Sequence, residues 1–479
     1  MSAVALAFVG LYLLVVLAVG WYGYRRTGTG PDEYFLAGGT LGRVVYPLTM
    51  FATLVSAFNF LGSAGFGYVH GLPWFTMLAV TSLAGLPLAL VGYRAWRLGR
   101  DRGYITPTEY LGDQFDSDAL KILVVVVQFV WAVPYLAIQA IGGGVIVEVI
   151  AGGTVGFEVG ALLVVAVTAV YLSLGGLRGA AWSDVIQGVV LVGFLSTALV
   201  YIQPEVALGR FFRRIAAETG LLTTAGNAGF FTPRIWLSFL LMNGMAVIAY
   251  PQVFQRFFAA EGERSFRSLI AWWPAVLAVT SVVPVVLGII GTGVVPDLAN
   301  PDRVVPRLLQ AFAPAWLVGV IMGGAVAAMM STADSLVLTL SSLVTRDLYH
   351  DHVDPGASDR AERWVARGAI AVLLAAGYGL ALSFTGTIVE LSIYFIQGNA
   401  LLLPVLLAPL YWRGATAAGA LASVVLGQGY LVAAGFGPAP AFGFMPFVPA
   451  LALACLGLFG GSLLTADRSG TVAASAEEA

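Results

Sequence analysis

The sequence predicts an all-α integral membrane protein of about 13 transmembrane helices, and three observations carry that reading. Of 479 residues, 59% are hydrophobic and 10% charged, and the mean hydropathy is +0.88, a balance that no water-soluble domain of this size keeps dispersed. The apolar residues form runs of roughly 20 or more, not the alternation of roughly ten-residue strands that marks a membrane barrel. Distributing the basic residues over a 13-span bundle places 18 of the 24 on one side, the asymmetry expected of a cytoplasmic face.

The candidate spans, cut at polar and Gly/Pro-rich breaks, are 2–23, 44–69, 72–96, 119–150, 156–175, 182–202, 233–257, 267–296, 311–347, 362–384, 387–411, 414–435 and 443–465. The first is a retained helix and not a signal peptide, because Arg25 and Arg26 follow the apolar run instead of preceding it. The second carries Ser56, Asn59, Gly62, Gly65 and Gly67, which predicts an unwound point near Thr53 to Ala57. The fifth and sixth are parted by "GGLRGAAWSD", and the segment 203–232 contains "ALGRFFRRIAAETG", a short amphipathic surface helix. The seventh, "LSFLLMNGMAVIAYPQVFQRFF", is interrupted by Asn243, Gly244 and Pro251.

Two interrupted helices at matching places predict an inverted repeat with its site at the midplane. Repeat one is 44–202 and repeat two 233–411, with the first helix 2–23 and extra helices 414–435 and 443–465 flanking them. One transmembrane domain, 1–469, precedes a disordered cytoplasmic tail, 470–479. An odd span count with 18 basic residues inside sets the N-terminus outside and the C-terminus in the cytoplasm. Only Arg210, Arg213, Arg214, Arg234, Arg303 and Arg307 fall outside, and Arg256 is assigned to an inner loop.

Function has to reside in the bundle. Cys455 stands alone, His70, His350 and His352 lack metal-ligand spacing, and no nucleophile–base pair occurs, so the reading is not an enzyme and needs no cofactor. Ionisable residues inside spans mark ion or solute pathways, and the central ones are Asp184 and Asp334; Glu148, Glu158 and Glu390 sit near span ends. In "AVAAMMSTADSLVLTLSSLVTRDLY", Ser331 and Thr332 stand three and four positions after Ala328, so both hydroxyls share a turn with its carbonyl, and Asp334 and Ser335 extend the stripe. Hydroxyls and carbonyls freed by a broken helix suit a sodium ion. Serine and threonine that bond back to their own helix are the structural alternative.

Four stretches are similar to the sodium:solute symporter family over about residues 5–465: "DEYFLAGGTLG", "GGLRGAAWSDVIQG", "MMSTADS…TRDLY" and "LLAPLYWRGATAAGALAS". The resemblance implies the LeuT-type five-plus-five inverted repeat with flanking helices. It places a sodium site on the carbonyls of Ala52, Val55 and Ala328 and the hydroxyls of Ser331 and Thr332, with Na+ as coupling ion. A second ion or exit site falls on Asp184, Asp334 and Ser335, where Asp334 replaces a hydroxyl residue of some members, leaving the stoichiometry open between one ion and two. Substrate-binding positions fall on Asn59 and Asn243, with either Gln397 or Ser392 as a third. Leu54 departs from the proline- and sugar-transporting members. "VVPDLANPDRVVPRLL" and "GFMPFVPALAL" resemble the pantothenate branch, and "VPYLAIQAIGG" the monocarboxylate branch. The expectation is therefore a plasma-membrane symporter that imports a small organic solute with sodium, a monocarboxylate, pantothenate or related acid or amino acid. Its partners are that solute, Na+ and the bilayer, with no nucleic acid, and its oligomeric state is left open. Proton coupling through Asp184 or Asp334, or a substrate-sensing role, are the alternatives.

Overall fold

The computed structural model describes residues 2–25, 30–74 and 85–465; the predicted tail lies outside them. Helix is the form in which an apolar segment satisfies its own backbone without water, and the described elements are helical almost throughout. In chain order they are α1 (Ser2–Tyr24), α2 (Pro31–Leu36), α3 (Val45–Ala52) and α4 (Ser63–His70), then α5 (Gly85–Arg102), α6 (Pro107–Phe115), α7 (Asp118–Ile150) and α8 (Phe157–Val206). There follow α9 (Leu208–Glu218), α10 (Pro233–Ala249), α11 (Pro251–Phe258), α12 (Glu263–Val294), α13 (Val304–Phe312) and α14 (Ala315–Ser342), which continues as a wider π-helical segment, Leu343–His350. The last are α15 (Asp359–Ser383), α16 (Ile388–Ala400), α17 (Leu403–Tyr411), α18 (Ala417–Gly435) and α19 (Phe447–Thr465).

Among the described residues, seven helices are long and apolar enough to cross a membrane, or eight with the bent pair α10 and α11. The predicted 13 is not confirmed, because this count covers only the described residues. The second span is broken, its halves too short to count alone, and the third runs partly outside the described residues. The fifth and sixth form one helical run, α8, where the sequence predicts a break. The two ends of that run share a face. Phe157 and Gly160 meet Gly144 and Val147 near the end of α7, while Phe211, just past the other end, meets Gly293 at the end of α12. The segment that follows α12 returns to the end of α7, where Arg303 pairs with Glu148 at 2.7 Å. The run therefore doubles back, since a straight helix of 50 residues would extend about 75 Å.

The predicted unwinding is present. Helix α3 stops at Ala52, residues 53–56 are not helical, and a π-helical turn, Phe58–Gly62, leads into α4. The other break falls at Tyr250, between α10 and α11, with a bend of 43°. Asn243 and Gly244 do not contribute to it; both lie inside continuous α10, and only Pro251, which has no N–H to donate, interrupts the ladder. The amphipathic segment forms α9, with Phe211 and Ile215 buried. Helix α14 is the most buried apolar span, enclosed by α1, α7 and α8. Helices α18 and α19 pack side by side through small residues, with Gly419 against Ser462 and Gly427 against Ala454.

Candidate ion and solute site

The break after α3 is held open by side chains that replace helical partners. Asn59 Oδ1 accepts from the Ser56 amide at 3.3 Å, Gln139 Oε1 from the Ala57 amide at 3.1 Å, and Ser56 Oγ from the Phe58 amide at 3.2 Å. Tyr135 Oη lies 3.0 Å from Ser56 Oγ. These bonds fix the turn so that the carbonyls of Ala52 and Val55 face α14. Ser331 Oγ lies 2.9 Å from the Ala52 carbonyl and 2.8 Å from that of Ala328. Thr332 Oγ1 lies 3.1 Å from the Val55 carbonyl and 3.4 Å from that of Ala52. Five uncharged oxygens thus converge between a broken helix and an intact one. All four contacts are hydrogen bonds donated by the two hydroxyls, and the bond from Ser331 to Ala328 runs back along its own helix, the alternative named from sequence. The residues brought together are the five predicted.

One turn further along α14 lies a charged cluster, fully buried. Asp184 Oδ2 accepts from Thr49 Oγ1 at 2.6 Å, and Tyr171 Oη donates to Asp334 Oδ2. Asp334 Oδ1 accepts from the Ser335 amide at 3.0 Å. The cation among them is Arg256, assigned from sequence to an inner loop but located on α11 and only 2% exposed. Its guanidinium donates to Ser335 Oγ at 2.6 Å and to Thr49 Oγ1 at 3.2 Å, and lies 3.6 Å from Asp184 Oδ2. Two carboxylates and one guanidinium share this space. Ser335 Oγ is also spent on the Ser331 carbonyl, at 2.7 Å. The three predicted residues are therefore together, but around a tethered cation.

On the other side of the break is a cavity of about 40 Å³ lined by Leu54, Phe58, Asn59, Tyr135, Asn243, Val247, Tyr250, Leu277, Ser281 and Ile396. Asn243, 6% exposed, keeps its Nδ2 without a hydrogen-bond partner. Tyr135 stacks on Phe395, ring centroids 4.1 Å apart, and Tyr250 packs on the same ring at 4.8 Å. Asn59 and Asn243 reach the cavity as expected; Gln397 and Ser392 do not. Gln397 Oε1 accepts from the Phe447 amide at 3.0 Å and so faces α19. Ser392 Oγ is bonded back to the Ile388 carbonyl at 2.7 Å. Helix α16 presents Ile396 to the cavity instead, since successive residues of a helix point about 100° apart. Sequence reasoning missed Arg256, Gln139, Tyr135, Tyr250 and Ser281.

Both faces of the bundle are tied. At one, Lys121 pairs with Asp347 at 2.8 Å and Thr108 Oγ1 donates to Asp347 at 2.6 Å, while Arg346 pairs with Glu109 at 3.2 Å. At the other, Arg303 meets Glu148, and buried Asp302 accepts from the Ile388 amide at 2.9 Å.

A model of the sodium:solute symporter family matches residues 34–427. The chain belongs to the sodium:solute symporter family. The symporter is 28% identical over 471 residues to the sodium/pantothenate symporter of Escherichia coli (strain K12), covering 96% of this chain and 95% of that one. It is 26% identical over 448 residues to the sodium/proline symporter of Haemophilus influenzae (strain ATCC 51907 / DSM 11121 / KW20 / Rd), covering 87% and 85%. Its fold is similar to that of a Na+-coupled sialic acid symporter in a substrate-bound outward-open state, with a TM-score of 0.81, 19% identity and 98% of each chain covered. The nucleobase-cation-symport-1 family transporter Mhp1 aligns with a TM-score of 0.64, 13% identity, and 94% and 97% of the two chains covered. The symporter thus has the LeuT-type architecture and imports a solute coupled to sodium.

Proposed function

We propose that one sodium ion binds the carbonyls of Ala52, Val55 and Ala328 and the hydroxyls of Ser331 and Thr332, and that its binding locks the broken α3 against α14. The observation that carries this reading is the meeting of the two hydroxyls with the Ala52 and Val55 carbonyls across the helix break. Sodium that binds only the joined arrangement raises solute affinity by linkage, because the same break forms the wall of the solute cavity. The membrane potential supplies about 2.3 kcal/mol per charge per 100 mV. Separation of α3 from α14 then releases the ion past Asp184. The repeats are 44–202 and 233–411, each led by a broken helix. The face carrying Asp347 is cytoplasmic and that carrying Glu148 external, as the distribution of basic residues supports. This sets the N-terminus outside and the C-terminus inside the plasma membrane.

The solute is a small organic acid, a monocarboxylate, pantothenate or a related acid or amino acid. Support comes from the sodium/pantothenate relatives and from Asn243, whose unpartnered Nδ2 is a donor awaiting a substrate oxygen. Asn59, held by Ser56, lines the opposite side, and the aromatic wall of Tyr135 and Tyr250 contacts the apolar part of the solute. Uptake by proteoliposomes of pyruvate, lactate, pantothenate and proline, under an imposed sodium or proton gradient, tests the reading. Accumulation that requires sodium is expected. Equal accumulation from a proton gradient without sodium would establish the proton-coupled alternative, at Asp184 or Asp334.

A further inference from the structure

Two cavities away from the ion and solute site meet at Arg43. One, of about 360 Å³, is an apolar groove between α3 and α12, lined by Val44, Pro47, Leu48, Phe51, Trp272 and Val276 with Ser268 and Arg43 at its end. The second, of about 570 Å³, is lined largely by charged residues: Arg43, Glu261, Gly262, Glu263, Arg264 and Ser265. We infer that the pair forms a binding site for one phospholipid with a primary ammonium head group, of the phosphatidylethanolamine type.

The groove lies on membrane-spanning helices, and its rim is apolar and open, with Val44 62% and Trp272 60% exposed. An apolar cleft in that position takes an acyl chain, as the surrounding solvent is lipid. The chamber has both signs of charge. Arg267 is paired with Glu263, which leaves Arg43 and Arg264 as the cations facing a phosphate and Glu261 as the carboxylate facing an ammonium. Guanidinium–phosphate and ammonium–carboxylate contacts are charge-assisted hydrogen bonds. A head group carrying phosphate alone satisfies Arg43 and opposes Glu261; one carrying both charges satisfies both.

The chamber is built before any lipid arrives. The Leu41 amide donates to the Ala259 carbonyl and the Glu261 amide to the Leu41 carbonyl, each at 3.1 Å. Ser265 Oγ donates to the Leu41 carbonyl at 3.1 Å, and Ser268 Oγ to the Arg43 carbonyl at 2.7 Å. Residues 41–43 are thereby pinned to the start of α12, and Arg43 is held where head chamber and groove join.

Native mass spectrometry of the full chain in detergent, titrated with phosphatidylethanolamine, phosphatidylglycerol or phosphatidylcholine of equal acyl composition, tests the site without any transport readout. One tightly held phosphatidylethanolamine is expected. Arg43→Ala, on an exposed residue, should weaken it about tenfold, the loss of one charge-assisted contact. Val276→Trp, which fills the groove, should weaken it comparably, and Glu261→Gln should erase the preference over phosphatidylglycerol. Binding unchanged in both Arg43→Ala and Val276→Trp overturns the site. Phosphatidylglycerol held as tightly as phosphatidylethanolamine by the unaltered protein overturns the head-group assignment.

Discussion

Thr332 Oγ1 lies 3.1 Å from the carbonyl of Val55, a residue 277 positions away. Replacing Thr332 with alanine removes one of the five oxygens proposed to hold sodium while leaving both helices intact. The sodium concentration for half-maximal uptake should rise about tenfold, the worth of one ion–hydroxyl contact of roughly 1.4 kcal/mol, with little change in expression. Sodium dependence indistinguishable from the unaltered protein would remove Thr332 from the site.

Asn243 and Gln397 should separate cleanly. Asn243→Ala takes away the unpartnered donor in the cavity, so KM for the solute should rise several-fold at saturating sodium. Gln397→Ala instead removes the acceptor of the Phe447 amide, leaving that buried N–H unsatisfied. It should lower the melting temperature, at a cost of about 1–3 kcal/mol, with KM unchanged. A raised KM in Gln397→Ala at normal stability would put that side chain back in the solute path.

Arg256 shares a buried space with the carboxylates of Asp184 and Asp334 and lies 3.6 Å from that of Asp184. Arg256→Gln should destabilise the fold by about 3–5 kcal/mol, the usual cost of stranding a buried charge. Asp184→Asn in the same chain should recover much of the loss. A thermal-melt double-mutant cycle measures the coupling, and strict additivity would argue that the two residues do not act as a pair.

Asp302 gives a pH signature. Burial, reinforced by the charge of Glu390, pushes its carboxyl up to about 6 despite the stabilising Ile388 amide. A carboxyl raised from 3.8 to about 6 on folding binds more protons folded than unfolded between those values. Stability therefore falls as pH rises through that window, by on the order of 3 kcal/mol in all. Asp302→Asn keeps an acceptor for Ile388 and does not titrate. Its melting temperature should exceed that of the unaltered protein at pH 7 and approach it at pH 4; a difference constant with pH would refute the assignment.

The parts of the site visible in sequence are those fixed by spacing along one helix or by backbone chemistry. Ser331 and Thr332 follow Ala328 by three and four, and the glycine-rich second span could not stay a regular helix, so the cage and its break were both legible. Arg256 was not, because a basic residue in "VFQRFF" near a span end looks like a surface anchor until the bend at Tyr250 turns α11 inward. Gln139 and Tyr135 act only through contacts with residues some 80 positions away, which no local pattern encodes. Gln397 and Ser392 lie on the right helix, but which face meets the cavity depends on how α16 is rotated against its neighbours.

Helix α3 is an eight-residue rod, about 12 Å long. Arg43 lies just before one end and the Ala52 carbonyl closes the other, with Thr49 held midway by Asp184 and Arg256. A rod that short has no internal joint at which to absorb motion. The lipid proposed beside its base and the ion proposed at its tip would therefore restrain the same lever, so that the surrounding bilayer would tune how readily sodium is let go.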